Sequence, residues 1–378
     1  MALSLSRNAS FICSYVDTVG GWDGDGRVPG EANTYEIGIL DGFSFSQATG
    51  TQNVTLNESG TSPQRGQQIF NTSIEPVDWS FTTYVRPRID DLTTTDLHGM
   101  VEKILWNALV SSTETNNTST GGIASTATEC TVSTTTSNVN QLLKLTGWFV
   151  FSDSVTSYKL SNMVVNSASI DFDIDGIAQI TWSGFATAIT AGLATAAPST
   201  PADATDGYVA NPATADFILN RLSTVSLVST ISGSSKTYAF PLTGGNITID
   251  NGVSFVTCEE LGKVNSPIDH QTGTRAVSGN FTCYLDSSAT GSKGVYTDIL
   301  ADINGADPDT TNNFNITLKI GGASAPNVVF NMVYAHLELP SIDTSDVMGA
   351  TINFTALESS FGSGNNEMSV VYTGSTIV

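Results

Sequence analysis

The second half of this 378-residue chain repeats motifs of the first half in the same order. Residues 80–85 (SFTTYV) align with residues 280–285 (NFTCYL), and residues 58–63 (ESGTSP) align with the Glu, Gly and Ser-Pro positions of residues 260–267. Repetition of both order and local motif at this scale indicates a duplicated folding unit. Two β-rich halves can also look alike through composition alone, and that alternative stays open.

Both halves alternate apolar and polar residues, which is the period of strands that bury one face. The pattern is clearest at residues 43–56 and 170–175. It predicts a hairpin turn near Gly50 and a second one at residues 175–176 (DG), where a tight turn favours positive φ angles. Residues 251–252 (NG) predict a turn of the same kind in the second half.

Helical spacing interrupts the strands once in each half. Apolar residues recur every three or four positions over residues 95–110, which predicts a helix, and a shorter helix is predicted over residues 295–303. The tryptophans Trp79, Trp148 and Trp182 lie in apolar strand patterns and are predicted to be core residues.

These patterns predict a mainly β protein with two tandem β-rich domains, each with hairpins and one α-helix. The first domain is predicted over residues 1–190, including a Ser/Thr-rich excursion at residues 111–140. An Ala/Pro/Thr-rich stretch at residues 191–213 is interpreted as a linker, and the second domain is predicted over residues 214–378.

The surface of such a protein must be built mainly from uncharged polar residues. Only 13% of the residues are charged, against roughly 25% in an ordinary soluble domain. Charged side chains are depleted at the cores of interfaces, so this composition favours a subunit that is buried among neighbours. A Thr/Ser-rich secreted β-sandwich would have the same composition. The formal net charge of −22, with no basic patch, argues against specific binding of nucleic acid.

No motif of catalysis or metal binding is present in the sequence. The four cysteines and three histidines are scattered without zinc-site spacing, and buried free thiols are expected. Nucleotide-binding, serine-hydrolase and metalloprotease signatures do not occur. We also find no signal peptide and no apolar stretch of about 18–20 residues. We therefore predict no enzyme activity, no cofactor, no metal and no membrane association.

A stripe of aspartates is the most unusual local feature. Asp171, Asp173 and Asp175 share one face of a predicted strand, where neighbouring like charges repel each other. A calcium loop would need an acid at the twelfth position, which is Trp182, so a half-buried hairpin is the better interpretation. The stripe is thus a candidate functional face, and Asp250 is its possible counterpart in the second half.

Arginines are scarce enough in this chain to be informative. Arg65, Arg86, Arg88 and Arg275 are either solubilising surface residues or partners in ion pairs between acidic subunits. The sequence favours neither interpretation.

Residues 40–87 (LDGFSFSQATG to DWSFTTYVRP) resemble the N-terminal β segment of bacteriophage tail tube proteins, a family related to the type VI secretion tube. In that pattern an early hairpin leads through a Pro/Gly loop into a strand and then one helix. The resemblance covers residues 34–110 well, and the remainder by the order of its elements.

The resemblance implies that each domain is a tail-tube-like β-barrel or sandwich with a flanking α-helix. It also implies six domains around a ring, with rings stacked into a hollow tube in the virion tail, assembled in the cytoplasm of the host bacterium. With two domains per chain it implies a homotrimeric, pseudo-sixfold ring in preference to a hexamer, with other tail proteins as partners. DNA would pass non-specifically through an acidic lumen that the four aspartates line, and the four arginines would lie between subunits. The alternative is a carbohydrate-binding β-sandwich of a tail fibre or secreted lectin.

Overall fold

The computed structural model is mainly β. The residues that it describes are 9–16, 34–55, 66–89, 102–110, 123–125, 129–134, 142–151, 157–191, 217–229, 235–257, 259–262, 264–305, 314–344, 346–360 and 366–376.

The elements of the first half alternate strands with one helix. In chain order they are β1 (Ser10–Tyr15), β2 (Thr34–Ile37), β3 (Ser44–Val54), β4 (Gln68–Tyr84), β5 (Arg88–Ile89), α1 (Lys103–Val110), β6 (Ile123–Ser125), β7 (Glu129–Ser133), β8 (Leu145–Val150), β9 (Ser157–Asp173), β10 (Gln179–Ala186) and β11 (Ala188–Ala191).

The second half begins with a short 3-10 turn at Asn220–Leu222. Its other elements are β12 (Thr224–Ser229), β13 (Lys236–Tyr238), β14 (Leu242–Asp250), β15 (Ser254–Thr257), β16 (Pro267–Gln271), β17 (Ala276–Tyr284), α2 (Ser292–Asn304), β18 (Phe314–Gly321), β19 (Asn327–Leu337), β20 (Ser341–Asp343), β21 (Gly349–Ala356), β22 (Ser369–Thr373) and β23 (Ser375–Thr376).

A central antiparallel sheet runs through both halves in the order β3-β4-β10-β9-β14-β17-β21. Strand β9 of the first half pairs directly with β14 of the second, so the sheet does not stop at the boundary between the halves. The N-terminal part of β9 also pairs with β8, which leads on to β1 and β2. Whether the halves are two domains in the sense predicted above remains a proposal.

One side of the central sheet forms the hydrophobic core. Trp79 and Trp182 are buried there, as predicted, and Trp148 is buried on β8. The rings of Phe281 and Phe354 stack with centroids 4.8 Å apart, and Phe172 packs against Phe281 across the junction between β9 and β14. The core is therefore continuous from one half into the other.

The two helices pack differently. All eight residues of α1 are buried, which is expected of a helix that is largely apolar around its circumference. The predicted helix was longer, but residues 95–101 lie outside the described part of the chain. Helix α2 is longer than its predicted span of 295–303 and buries one side. Among the described residues, neither helix has the length and apolarity needed to cross a membrane.

Two predicted turns were wrong in detail. Gly50 lies inside β3 at a register shift, where an added Cβ would come within 2.2 Å of Ser73 Oγ and would require that side chain to move. The turn after β9 is centred on residues 174–175, and the positive φ angle expected at Gly176 is absent. Gly176 instead approaches the Asp173 carboxylate so closely that a Cβ there would clash.

The predicted turn at residues 251–252 is real, but it does not close a two-residue hairpin. Gly252 has a φ of 56°. Strand β14 pairs with β9 and β17, whereas β15 pairs with β16, so the turn redirects the chain between two different pairings. Of the Ser/Thr-rich excursion, β6 and β7 are described, and β7 pairs with β22 near the C-terminus. Residues 192–216, which contain nearly all of the predicted linker, lie outside the described residues.

Candidate functional site: a polar sheet face

The side of the central sheet that faces away from the core carries almost only short polar side chains. We call it the polar face, and its outward residues are Asp78, Ser80, Thr82, Thr181, Ser183, Ser167, Ser169, Asp171, Asp173, Asn246, Thr248, Asp250, Ser278, Asn280, Thr282, Thr351, Asn353 and Thr355. Alternation along six strands places these residues together, because every second side chain points away from the core. Beyond a register shift after Ser183, this face ends at Phe185, which lies opposite Asp78 and packs with Val164 in a separate apolar cluster.

Neighbouring strands are linked across the polar face by hydroxyl contacts. The Oγ1 atoms of Thr82 and Thr181 lie 3.0 Å apart, between β4 and β10. The Oγ atoms of Ser167 and Ser183 lie 2.8 Å apart, between β9 and β10. These short side chains therefore use one another as hydrogen-bond partners, which fixes their orientation.

The junction between the halves has the densest network. Asn246 on β14 donates through Nδ2 to Asp171 Oδ1 at 2.5 Å and to Ser169 Oγ at 3.0 Å, both on β9. Thr248 lies beside them, with its Oγ1 3.3 Å from Ser169 Oγ, and donates to Asn246 Oδ1 at 2.9 Å. The Asp171 carboxylate is thus oriented by an amide without being neutralised by a cation.

The segments of the strands that form the polar face contain no cationic residues. Strands β4, β10, β14, β17 and β21 contain no lysine or arginine, and neither do residues 164–173 of β9. The acids Asp78, Asp171 and Asp173 are exposed on the face. A surface with acids and hydroxyls but no cations can hydrogen-bond water and repel anions, and it offers a phosphate no ion pair.

The four predicted lumen residues do not all lie in the same environment. Asp171 and Asp173 are exposed on the polar face, with Ile170 and Phe172 buried behind them. Asp175 lies in the turn beyond β9 and forms an exposed ion pair with Arg221 at 2.6 Å. The Asp250 carboxylate accepts a hydrogen bond from the backbone of Gly252 at 2.7 Å, so it stabilises the turn after β14 while lying at the end of the polar face.

The predicted inter-subunit arginines are scattered. Arg275 is held inside its own chain: it donates to Asn251 Oδ1 and to the Thr134 carbonyl, each at 3.1 Å, and lies 3.7 Å from Glu367. Those contacts compensate its charge without a second subunit.

The other three arginines are less completely defined. Arg86 follows β4, and its charge acts on the buried carboxyl of Glu102. Arg88 belongs to β5, whose backbone pairs in parallel with β23. The side chain of Arg88 and the whole of Arg65 lie outside the described residues.

Sequence reasoning missed the asparagines of the polar face. Asn246 faces Asn280, which in turn faces Asn353 across β17 and β21. Asn353 donates to Glu338 Oε2 at 2.9 Å, so this row of facing asparagines ends in a contact with the segment after β19. The alternating pattern of each strand places its asparagine on the polar side, so the orientation of each residue could have been predicted. The order of the strands, which brings the asparagines next to one another, is not visible in the sequence.

A metal centre is not formed in the described part of the chain, where no three His, Cys, Asp or Glu side chains converge. The three cysteines with described positions, Cys13, Cys130 and Cys283, are buried and form no disulfide with one another. Cys258 lies outside the described residues.

A mainly β sheet protein with a broad, cation-free polar face is thus defined, and comparison with known proteins gives its class. A sequence profile of the phage tail tube protein family matches residues 19–356, so the chain belongs to that family. It is a structural component of the phage tail, in a family whose members assemble into tubes with other tail proteins.

A curated relative is similar along the whole chain. The tail tube protein pb6 of Escherichia phage T5 is 29% identical over 384 aligned residues, which cover 100% of this chain and 78% of that protein. The resemblance inferred from residues 40–87 is confirmed, and it extends through both halves.

Proposed function

We propose that the chain self-assembles into stacked rings whose lumen is lined by the polar face and conducts DNA during ejection. The observation that supports this function is the absence of lysine and arginine from five strands of the face, β4, β10, β14, β17 and β21, and from residues 164–173 of the sixth, β9. DNA adheres to proteins mainly through cations that neutralise its phosphates. A wall of hydroxyls, amides and carboxylates repels phosphate and lets DNA slide without binding.

Each ring contains three chains in this proposal. The two halves supply two similar units per chain, over residues 1–190 and 214–378, with the linker at residues 191–213. Three chains then give six units and a pseudo-sixfold ring. The order of strand pairing, which is the same in both halves, supports this duplication. Asp171, Asp173, Asp175 and Asp250 contribute the acidity of the lumen.

The rings stack through hairpins that project beyond the central sheet. Residues 68–76 of β4 extend past the end of β10 and pair with β3. Ile69 and Phe70 on this projection are 55% and 58% exposed, which is unusual for large apolar side chains on a free surface. Burial of these two side chains against the next ring would stabilise stacking. Within a ring, pairing of the sheet edges with neighbouring subunits would protect the edges from unspecific association.

Electrostatics oppose assembly of a chain with a net charge of −22, so cations are needed at the contacts. Arg65, Arg86 and Arg88 remain our candidates for ion pairs between subunits, and Arg275 acts there only if it exchanges its internal partners. We further propose that the tube is assembled in the cytoplasm of the host bacterium and joins other tail proteins at its ends.

Negative-stain electron microscopy of the purified protein over a series of salt concentrations tests the proposal. We expect hollow rings and tubes, favoured by salt because screening weakens repulsion between acidic subunits. Averaged end views should show six lobes with threefold symmetry. A monomer that persists at high protein concentration and high salt would contradict self-assembly, and strict sixfold symmetry with one chain per lobe would contradict the trimer.

A further inference from the structure

The two halves pair their strands in the same way. Six pairings of the first half each have a counterpart in the second half. The pairings of the first half are β1·β2, β1·β8, β8·β9, β9·β10, β10·β4 and β4·β3. Their counterparts in the second half, given in the same order, are β12·β13, β12·β18, β18·β19, the pairing of β19 and β20 with β21, β21·β17 and β17·β14. This correspondence relates the strands of one half to those of the other.

The strand registers identify which residues of the two halves are equivalent. Phe81 of the first repeat motif faces Trp182 on β10, and Phe281 of the second motif faces Ile352 on β21. Continuing from these anchors, Ile180 on β10 is equivalent to Ala350 on β21.

The next strands follow from the same registers. Ile180 faces Ile170 on β9, and Ala350 faces Ile342 on β20, so Ile170 and Ile342 are equivalent. On the other side of each repeat motif, Ser44 faces Ser80 and Asn246 faces Asn280. Residues 44–46 of β3 are therefore equivalent to residues 246–248 of β14.

The junction inside the chain joins two of these equivalent edges. Strand β14 pairs with β9 so that Ile247 faces Ile170, and both side chains are fully buried. On the polar side of the same ladder, Thr248 faces Ser169 and Asn246 faces Asp171. The junction thus combines an apolar contact toward the core with hydroxyl and amide contacts on the polar face.

The two edges equivalent to this junction have no such partner in the part of the chain that the structure describes. Among the described residues, β3 pairs only with β4, and β20 pairs only with β21. Ile342 is 47% exposed, whereas its equivalent Ile170 is 0% exposed. Strand β14 therefore covers Ile170 in the first half, whereas no described strand covers the equivalent Ile342 in the second half.

We propose that β3 of one copy pairs antiparallel with β20 of a second copy and repeats the internal β14·β9 junction. The equivalences set the register: Phe45 faces Ile342, Ser46 faces Ser341, and Ser44 faces Asp343. The occupant of the open edge is a second copy of this chain because the chain already carries the matching edge. This inference rests on the proposed ring and specifies its contacts.

The side chains at both edges suit this register. Phe45 takes the place of Ile247 and covers Ile342 at the mouth of an apolar slot that includes Leu285, Tyr296 and Pro340. Such burial favours association through the hydrophobic effect.

The polar contacts of the junction are matched as well. The Ser44 hydroxyl donates to the Asp343 carboxylate as the Asn246 amide donates to Asp171, and the hydroxyls of Ser46 and Ser341 repeat those of Thr248 and Ser169. The polar face then continues from one chain into the next without a break, and Asp343 becomes part of it.

Disulfide trapping in assembled tubes tests the register. The variant carrying Ser46→Cys and Ser341→Cys places two thiols directly opposite each other, within the Cα separation that a disulfide bridges. The matched control carries Ser44→Cys and Ser341→Cys, which are diagonal neighbours at about 7–8 Å and too far apart. Both exchanges replace an exposed hydroxyl by a thiol, so folding should be unaffected, and each single variant controls for the native cysteines.

We expect the direct pair to give covalent dimers and closed trimers on a non-reducing gel, at least about tenfold more than the diagonal pair. Electron microscopy of the same samples reports whether tubes are present. Tubes without preferential cross-linking of the direct pair would overturn the inferred register and leave the proposed function intact. Absence of any ring in the parent protein would instead overturn the proposed function and the inferred interface together.

Discussion

The indole Nε1 of Trp106 donates a hydrogen bond to the hydroxyl of Tyr372 over 2.8 Å, and both side chains are fully buried. Trp106 belongs to helix α1 of the first half, and Tyr372 belongs to β22 near the C-terminus. The two rings also meet edge to face, with centroids 6.3 Å apart. The helix of the first half is thus held in part by a strand of the second half that lies 266 residues further along the chain.

Replacing Tyr372 by phenylalanine should destabilise the chain by about 1–3 kcal/mol, because the buried Trp106 N–H would lose its partner while the packing remains. Urea unfolding followed by tryptophan fluorescence measures this change in the free energy of unfolding. Tyr284→Phe is the matched control, since Tyr284 is 47% exposed and should change stability little. Equal effects of the two substitutions would show that the hydrogen bond contributes nothing specific.

The carboxyl of Glu102 gives a pH-dependent contribution to stability. Burial raises its pKa from an ordinary value of 4.5 to about 7, and the nearby charge of Arg86 only partly opposes this. The backbone N–H groups of Glu102 and Arg86 also oppose the rise, but less than burial favours it. The native state therefore holds the proton to higher pH than the unfolded state does, and the stability contributed by this group falls as pH rises from 4.5 to about 7.

The substitution Glu102→Gln should abolish the loss of stability that the wild type shows as pH rises. The variant is expected to match the wild type near pH 4.5 and to exceed its free energy of unfolding by on the order of 3 kcal/mol above pH 7. Urea unfolding of both proteins across this range gives the difference directly. A difference that is constant with pH would refute the titration of Glu102 in this window.

Charge on the polar face should control DNA passage without controlling assembly. In phage carrying Asp171→Lys with Asp173→Lys, we expect intact tails and DNA release that is at least about twofold slower, because the introduced cations bind phosphates. The neutral pair Asp171→Asn with Asp173→Asn should fall between this variant and the wild type. Release is followed by the fluorescence of a DNA-binding dye after ejection is triggered.

The salt dependence separates adhesion from a structural defect. Slowing by adhesion should diminish as ionic strength rises, since each phosphate contact releases counterions. Unchanged release kinetics in phage with intact tails would argue against placing the polar face in the lumen.

Alternation along each strand determined much of this fold from the sequence alone. It placed Ile170 and Phe172 inside and Asp171 and Asp173 outside, and the structure confirms both. The burial of the three core tryptophans and the existence of both helices followed from the same local periodicities. The resemblance carried by residues 40–87 was sufficient to indicate the family.

Local patterns failed where a turn or a contact depends on distant strands. Gly50 was predicted in a turn, but a strand that continues through it gains more backbone pairing with β4 than a turn there would allow. Arg275 was considered for a contact between subunits, but the fold brings Asn251, Thr134 and Glu367 around it.

The sequence by itself determined which side chains of each strand face the core, because that depends only on the two-residue period of the backbone. Only the tertiary structure decided that β9 pairs with β14, which brings Asp171 against Asn246 and merges the two halves into one sheet. Pairing between strands far apart in the chain depends on the shape and hydrogen bonding of whole edges, and no local pattern of residues encodes it.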